Sequence, residues 1–420
     1  MDKYIINGGK KLHGVVDVMA AKNAVLPIIA CCIMIKDVVV LKGCERLTDV
    51  ENMMRIIKNL GGRCDFDSND LIIDCKKLSR HSVSHELTGA LRSSVFILGP
   101  LLSRLHRAEI SYPGGCDIGL RPIDLHLEGL KNLGVKLSED EEKISCDGRN
   151  IHSGIISLAF PSVGATENLI MAATLASGRT VIRNAAAEPE IIDLQNFINA
   201  MGGNVHGAGS GVVIIDGVSS LHGGVYSPIR DRISAGTFLI GGAMCGGKVT
   251  VRGIRSDWLF SLTEKLRLAG AVVTEKLGEI TVESDGALRI LRKVETQPFP
   301  GFPTDLQAPI TAMMSASKGR GYVIENLFEN RFRHTRELKK MGADIIVCGR
   351  AATVRGAKLH GANVIAQDLR GGAALVLAGL KAEGKTEIIG LEHIDRGYYN
   401  FEEKITSLGG DIKRVKISCV

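Results

Sequence analysis

The sequence predicts an α/β (α+β) protein of two lobes, in which six copies of one supersecondary unit are grouped three plus three. The first observation is a helix-end signature, an apolar residue followed by Gly, which recurs at roughly 70-residue spacing. Each copy ends an amphipathic segment, Gly supplies the left-handed residue that closes the helix, and a β-rich segment follows. In chain order the copies are Asn59-Leu60-Gly61-Gly62, Asn132-Leu133-Gly134-Val135, Ala200-Met201-Gly202-Gly203, Leu268-Ala269-Gly270-Ala271, Lys340-Met341-Gly342-Ala343 and Ser407-Leu408-Gly409-Gly410.

A second signature alternates with the first and consists of a small-residue helix, a turn and a strand. Its copies lie at 30–43, 99–115, 172–184, 241–253, 314–326 and 377–390, the first two being weaker. Each unit therefore carries two helices and several strands, and its alanine- and glycine-rich helices are suited to close packing on a sheet. Chance could repeat the first signature once or twice, but not six times in register.

Composition excludes several classes of function. The 420 residues allow two or three domains, and 45% hydrophobic with 23% charged residues is ordinary for a soluble protein. Aromatic residues make up only 4%, which argues against a base-stacking surface for nucleic acid. The net charge of +6, with no basic tail, fits small anionic substrates better than a duplex backbone.

The chain shows no export or membrane signal. Its first residues lack a signal-peptide core, and the longest apolar run, 24–41, is interrupted by Pro27 and Lys36-Asp37. The ten cysteines lie mostly in apolar segments and form no Cys-x-x-Cys pair or Cys/His cluster with metal-ligand spacing. We therefore expect a cytoplasmic protein that needs no metal.

One thiol lies in a different setting, on the loop Pro113-Gly114-Gly115-Cys116-Asp117-Ile118-Gly119-Leu120-Arg121-Pro122. Three glycines make the loop poor in side chains, so Cys116 is its only soft group capable of acid–base chemistry. Such a loop can close over a ligand and exclude water. The alternative is an ordinary surface turn.

Cations precede or begin several apolar helices. Lys22 lies at the positive end of a helix dipole, where it does not stabilise the helix but could help to bind an anion, the alternative being a solvated lysine. Five arginines lie next to glycine-rich or apolar segments and suit a bidentate grip on phosphate or carboxylate. These are Arg92, Arg121, Arg331, Arg370 and Arg396.

Asp305 admits two interpretations. Thr304 and Gln307 have the spacing of a capping box, which would make Asp305 a carboxylate in the first turn of helix 308–317. That setting favours the ionised form, which also suits a general base for a hydroxyl. The histidines form no recognisable triad with Cys116, so a cysteine hydrolase is disfavoured.

Along its whole length the chain resembles the UDP-N-acetylglucosamine 1-carboxyvinyltransferases, which are a branch of the enolpyruvyl transferases. The cysteine loop by itself nearly separates this branch from the 3-phosphoshikimate 1-carboxyvinyltransferases. The other motifs that carry the resemblance are Ala21-Lys22-Asn23-Ala24, Ser162-Val163-Gly164-Ala165-Thr166, Asp231-Arg232-Ile233, Phe302-Pro303-Thr304-Asp305, Phe328-Glu329-Asn330-Arg331-Phe332, Asp368-Leu369-Arg370 and His393-Ile394-Asp395-Arg396-Gly397-Tyr398.

The resemblance implies a two-lobed inside-out α/β barrel with its active site in the cleft. One lobe would comprise 1–21 and 230–420, and the other 22–229. The implied reaction transfers the enolpyruvyl group of phosphoenolpyruvate to the 3-hydroxyl of UDP-N-acetylglucosamine and opens peptidoglycan precursor synthesis. The implied partners are these two substrates, without nucleic acid, membrane or cofactor, in a monomer.

The resemblance also implies roles by matching position. Cys116 would protonate the methylene carbon of phosphoenolpyruvate, and Asp305 would act as base on the sugar hydroxyl. Phosphate would be held by Lys22, Arg121 and Arg396, and the carboxylate by Arg331 and Arg370. The nucleotide sugar would contact Asn23, Arg92, Arg121, Pro122, Ile123, Asp124, Leu125, Ser162, Val163, Gly164 and Leu327.

The chain departs from the family pattern at three places. Phe160-Pro161 replaces a lysine found before Ser-Val-Gly in some members, Met19-Ala20 replaces Ser-Gly, and Ser234 stands where an acidic residue is common. Two other functions stay open on sequence grounds: a 3-phosphoshikimate 1-carboxyvinyltransferase, and an RNA-binding or RNA-end-processing protein on similar repeats.

Overall fold

A computed structural model describes residues 2–112, 114 and 123–416. The described residues form two compact units. Unit 1 comprises 2–18 and 230–416, and unit 2 comprises 19–112, 114 and 123–229. Each unit has one hydrophobic core of its own.

The described residues form strands and α-helices in alternation. The strands are β1 (Asp2–Asn7), β2 (Leu12–Asp17), β3 (Val38–Leu41), β4 (Arg63–Asp67), β5 (Asp70–Asp74), β6 (Ser82–Val83), β7 (Arg107–Ser111), β8 (Lys136–Glu139), β9 (Lys143–Asp147), β10 (Ile155–Ser157), β11 (Arg179–Arg183), β12 (Val205–His206), β13 (Val212–Asp216), β14 (Gly224–Tyr226), β15 (Gly247–Arg252), β16 (Val272–Lys276), β17 (Glu279–Ser284), β18 (Lys293–Glu295), β19 (Arg320–Ile324), β20 (Asp344–Cys348), β21 (Ala351–Arg355), β22 (Asn363–Ile365), β23 (Lys385–Ile389) and β24 (Asp411–Lys416). The helices are α1 (Lys22–Cys31), α2 (Thr48–Asn59), α3 (His85–Gly89), α4 (Leu98–Leu105), α5 (Asp124–Asn132), α6 (Val163–Thr174), α7 (Pro189–Ala200), α8 (Arg232–Cys245), α9 (Phe260–Ala269), α10 (Gln307–Ser315), α11 (His334–Lys340), α12 (Leu369–Lys381), α13 (Leu391–Ile394) and α14 (Phe401–Ser407).

All six four-stranded sheets in the described part of the chain share one topology. An edge strand pairs in parallel with the next strand, which pairs antiparallel with a third strand, and the third pairs antiparallel with the fourth, as in β6-β7-β9-β8 and β10-β11-β13-β12. Unit 2 also contains β14-β3-β5-β4, and unit 1 contains β18-β19-β21-β20, β16-β17-β15-β2 and β22-β23-β1-β24. The predicted α/β class with six repeated units is confirmed.

The six amphipathic helices end where the sequence predicts. Helices α2, α5, α7, α9, α11 and α14 are each followed by a glycine in the left-handed region, with φ between 85° and 104°. A side chain there would be strained, which explains why glycine recurs. These glycines are Gly61, Gly134, Gly202, Gly270, Gly342 and Gly409.

A second set of helices is buried on all sides and lies at the centre of each unit. In α8 the residue at 242 must be glycine, because a Cβ there would lie 2.8 Å from the Val249 side chain on the sheet. Helices α8, α10 and α12 pack together in unit 1, while α6 packs against α4 and α1 in unit 2. Small residues allow this close approach.

Burial accounts for most of the cysteines. Seven of the eight in the described residues are buried free thiols, and Cys348 on the edge strand β20 is the exposed exception to the predicted apolar setting. Burial raises the pKa of the Cys64 thiol to about 12. Within the described ranges, no helix is long and apolar enough to cross a membrane.

Candidate functional site

Four of the predicted site residues lie at one kind of position, the amino-terminal end of a buried helix. Lys22 is the first residue of α1, and Ser162 is the N-cap of α6. Asp305 lies in the 3-10 turn that leads into α10, and Arg370 is the second residue of α12. Free backbone N–H groups and the helix dipole make such ends suited to anions.

In unit 1, Asp305 is held between two arginines. Arg331 Nη2 donates to Asp305 Oδ1 at 2.6 Å, and Arg370 Nη2 donates to Oδ2 at 3.2 Å. Both arginine side chains are almost fully buried, whereas the aspartate is 26% exposed. The carboxylate of Asp305 thus faces two guanidinium groups.

These arginines have further donors available. Arg331 Nε and Arg370 Nη1 are buried and have no hydrogen-bond partner among the residues that the structure describes. Buried donors without a partner are costly, so their presence points to a ligand that supplies acceptor oxygens. A carboxylate or phosphate meets this requirement in a bidentate geometry.

The packing around the arginines fixes their orientation. The Arg370 guanidinium lies 5.3 Å from the centre of the Tyr398 ring, and Tyr398 Oη lies 2.8 Å from Thr237 Oγ1 on α8. Burial opposes the charge on Arg370, but Tyr398 and Asp305 raise its pKa above the usual value. His334 Nδ1 lies 3.1 Å from the Arg331 carbonyl oxygen and must donate to it, and burial lowers the pKa of this histidine to about 4.

The predicted capping box at Thr304 and Gln307 is wrong. The turn has no side-chain cap, because Thr304 Oγ1 donates to Glu325 Oε2 at 2.9 Å. The side-chain amide of Gln307 is buried and has no hydrogen-bond partner in the described ranges of the chain. Leu327, predicted to contact the sugar through its backbone, donates its N–H to Glu325 Oε1 at 2.9 Å.

Arg396 is half-buried in the turn after α13. It follows Asp395, which pairs with Arg414, and it precedes the buried Tyr398 by two residues. The chain therefore brings Arg396 to the same turn as the ring that packs on Arg370.

In unit 2, Lys22 is not a solvated lysine. Its Nζ lies 3.1 Å from Asp49 Oδ2, and the side chains are 12% and 2% exposed. Asp49 is in the first turn of α2, and Asn23 follows Lys22 as a half-buried residue. Backbone pairing of Ala21 N–H with the Ile229 carbonyl at 2.7 Å anchors the start of α1.

A second group in unit 2 brings together three helix starts. Ser162 Oγ accepts from Ala165 N–H, and a Cβ at Gly164 would lie 3.1 Å from His126 on α5. Asn168 on α6 connects them, since its Nδ2 lies 3.0 Å from His126 Nδ1 and donates to the Val95 carbonyl oxygen. Arg92 is the first residue of a turn, 92–97, that packs against α6.

The other residues of unit 2 that are predicted to contact the nucleotide sugar differ in their burial. Ile123 is buried, Leu125 and Val163 are half-buried, and Asp124 is exposed. Cys116, Arg121 and Pro122 lie outside the described residues.

At the departures from the family pattern, Phe160 is 45% exposed, so this position offers an aromatic ring in place of a cation. Ser234 donates its backbone N–H to the N-cap Asp231.

Proteins of a known family are similar to this chain in sequence and in fold. Residues 6–405 match the family model described as EPSP synthase (3-phosphoshikimate 1-carboxyvinyltransferase). The chain is 47% identical over 416 residues to UDP-N-acetylglucosamine 1-carboxyvinyltransferase 2 of Caldanaerobacter subterraneus subsp. tengcongensis, covering 99% of this chain and 100% of the relative. A Coxiella burnetii protein named UDP-N-acetylglucosamine 1-carboxyvinyltransferase is 45% identical over 421 residues, with coverage of 99% and 96%.

The chain belongs to the enolpyruvyl transferases of the EPSP synthase family. Within that family its 44–47% identical relatives are UDP-N-acetylglucosamine 1-carboxyvinyltransferases, so the predicted family is confirmed. Solved structures agree on the fold. The enolpyruvyl transferase NikO from Streptomyces tendae has a TM-score of 0.88 at 22% identity and 98% coverage of both chains. An EPSP synthase from Acinetobacter baumannii has a TM-score of 0.73 at 17% identity, with coverage of 99% and 100%.

Sequence reasoning missed the partners of the predicted enolpyruvyl transferase residues. Asp49, Glu325 and Asn168 each lie far along the chain from the groups they hold, and no motif marks them. Their only sequence signal is a polar residue in an otherwise apolar repeat.

Proposed function

We propose that this chain transfers the enolpyruvyl group of phosphoenolpyruvate to the 3-hydroxyl of UDP-N-acetylglucosamine and releases phosphate, the first committed step of peptidoglycan precursor synthesis. The full-length identity to transferases of that name supports the reaction. The observation that carries the chemistry is the partly exposed Asp305 between buried Arg331 and Arg370.

Asp305 is the base of the proposed reaction. Its carboxylate accepts the proton of the sugar 3-hydroxyl while that oxygen bonds to the central carbon of phosphoenolpyruvate. Cys116 donates a proton to the methylene carbon, which gives a tetrahedral adduct. Loss of a proton from the resulting methyl group then expels phosphate and restores the double bond.

Fixed cations supply the binding and the electrostatic stabilisation. Arg331 Nε and Arg370 Nη1, which have no partner within the described part of the chain, suit the substrate carboxylate. Lys22, Arg121 and Arg396 hold the phosphate in this proposal. Fixed cations around a developing negative charge stabilise the transition state without reorganisation.

The nucleotide sugar would lie against the helix starts of unit 2. The proposed contacts are Asn23, Arg92, the segment Arg121, Pro122, Ile123, Asp124 and Leu125, and the loop Ser162, Val163 and Gly164. Helix N-termini and backbone N–H groups there suit a diphosphate. Leu327 is proposed to add a backbone contact.

The proposal includes a cytoplasmic monomer that works without a cofactor. Free buried thiols fit a reducing compartment. The proposed chemistry transfers protons and a carbon group between two organic substrates, so it requires neither an electron carrier nor a metal ligand set.

Product identification tests this proposal. Incubation with both substrates should give one enolpyruvyl ether of UDP-N-acetylglucosamine, identified by mass and by its vinyl protons, for each phosphate released. Asp305→Ala should lower turnover by at least about a hundredfold, since a positioned base contributes that much. Phosphate release without the ether would contradict the proposal.

A further inference from the structure

Glu325 is a buried acid that the proposed chemistry does not use. It follows β19 directly, and its side chain is 0% exposed. A buried carboxylate is stable only when hydrogen bonds replace its hydration. Glu325 meets that requirement with four hydrogen bonds, all from threonine hydroxyls or backbone N–H groups.

The two oxygens of Glu325 hold different segments. Oε1 accepts from Leu327 N–H at 2.9 Å, Phe328 N–H at 3.2 Å and Thr296 Oγ1 at 2.9 Å. Oε2 accepts from Thr304 Oγ1 at 2.9 Å, one residue before the proposed base. A single side chain therefore links the turn that bears Leu327 to the turn that bears Asp305.

Arg331 provides a second connection between the same two turns. Its Nη2 donates to the Thr304 carbonyl oxygen at 3.4 Å as well as to Asp305 Oδ1 at 2.6 Å. Its guanidinium also lies 5.6 Å from the centre of the Phe328 ring. The two turns are therefore connected twice, through the acid on one side and through the arginine on the other.

We propose that Glu325 is a positioning residue that sets Asp305 and the Leu327 backbone in one geometry toward the acceptor hydroxyl. This inference rests on the proposed function. Glu325 does not touch the substrate, and it acts through Thr304 on one side and through two backbone N–H groups on the other. Its charge matters because hydrogen bonds to a carboxylate are roughly twice as strong as neutral ones.

Glutamine tests the charge while it keeps the shape. Its one acceptor oxygen can face Leu327 and Phe328, but its amide then presents N–H to Thr304, which must reverse its hydrogen bond. Glu325→Gln should lower kcat at least about tenfold, since a small displacement of a reacting group is costly. The KM for phosphoenolpyruvate should stay within about threefold, because both arginines remain.

Thr304 provides an independent test and a rescue. Thr304→Val removes the hydroxyl at nearly constant shape and should lower kcat as Glu325→Gln does, while Thr304→Ser should retain it. The double variant Thr304→Val/Glu325→Gln should have a kcat no lower than that of the worse single variant, because both changes break the same hydrogen bond between Thr304 and Glu325.

Glu337 supplies the matched control. It is a buried glutamate in the neighbouring helix α11, and its Oε2 accepts from Lys340 Nζ and Ile365 N–H. Glu337→Gln should lower Tm but leave kcat within about twofold.

A parental kcat in Glu325→Gln, or an equal loss in Glu337→Gln, would overturn the positioning role. If Glu325→Gln fails to fold, a parental kcat in Thr304→Val would overturn it instead. A wild-type chain that forms no enolpyruvyl product would overturn the proposed function as well, so the two failures are distinguishable.

Discussion

At the scale of the residue, local sequence context misled at Thr304, whereas the role of Asp305 stays a prediction. The spacing of Thr304 and Gln307 fits a capping box, but the hydroxyl bonds to Glu325, 21 residues away. A hydrogen bond from the hydroxyl to a carboxylate is roughly twice as strong as a bond between the hydroxyl and a neutral backbone N–H, which favours the bond to Glu325. Asp305 lies between the guanidinium groups of Arg331 and Arg370, a setting that favours the ionised form that the sequence predicts.

Cys116 gives a residue-scale prediction that comes from the sequence alone. Cys116→Asp should keep turnover, because a carboxyl group can donate the proton, and should lose inactivation by the thiol-alkylating epoxide fosfomycin. Cys116→Ala should nearly abolish turnover at neutral pH. Initial rates with and without preincubation in fosfomycin measure both effects. Unchanged inactivation of Cys116→Asp, or a near-normal rate in Cys116→Ala, would refute the acid role.

At the scale of the element, the sequence predicted helix ends well and long-range partners poorly. Gly270 closes α9 with φ of 104°, and that requirement is visible in the chain because only glycine adopts it without strain. Contacts between residues that are distant in the sequence are harder to predict. Nothing at Lys22 indicates that Asp49 lies 3.1 Å away, since the contact depends on how α1 packs against α2.

Asp193 on α7 gives a prediction about stability and pH. Burial raises its pKa to about 6, even though Tyr226 Oη and Ile229 N–H donate to it. Between pH 4 and 6 the folded chain holds a proton that the unfolded chain has released, so stability falls as pH rises. The full effect is about 3 kcal/mol.

Asp193→Asn cannot ionise and should gain stability relative to the parent as pH rises from 4 to 7. Tm measured across that range in both proteins gives the difference. Asp216→Asn is the control, because Arg179 lowers the pKa of Asp216 and its contribution is instead lost at low pH. A constant Tm difference for Asp193→Asn would contradict the account.

At the scale of the whole molecule, the repeated units place four predicted site residues, Lys22, Ser162, Asp305 and Arg370, at the amino-terminal ends of buried helices. Recurrence in the sequence predicted the number of repeats, and six sheets of one topology confirm it. The sequence could not show that Asp305, Arg331 and Arg370 meet, because they come from three different segments of unit 1. The contact among these three residues depends on how the segments pack, and the proposed function rests on it.

The choice of acceptor tests the central claim most directly. Phosphate release from phosphoenolpyruvate is followed with UDP-N-acetylglucosamine and, in parallel, with shikimate 3-phosphate. The account predicts sustained release with the nucleotide sugar and none above background with the shikimate ester. Release with shikimate 3-phosphate alone would contradict it.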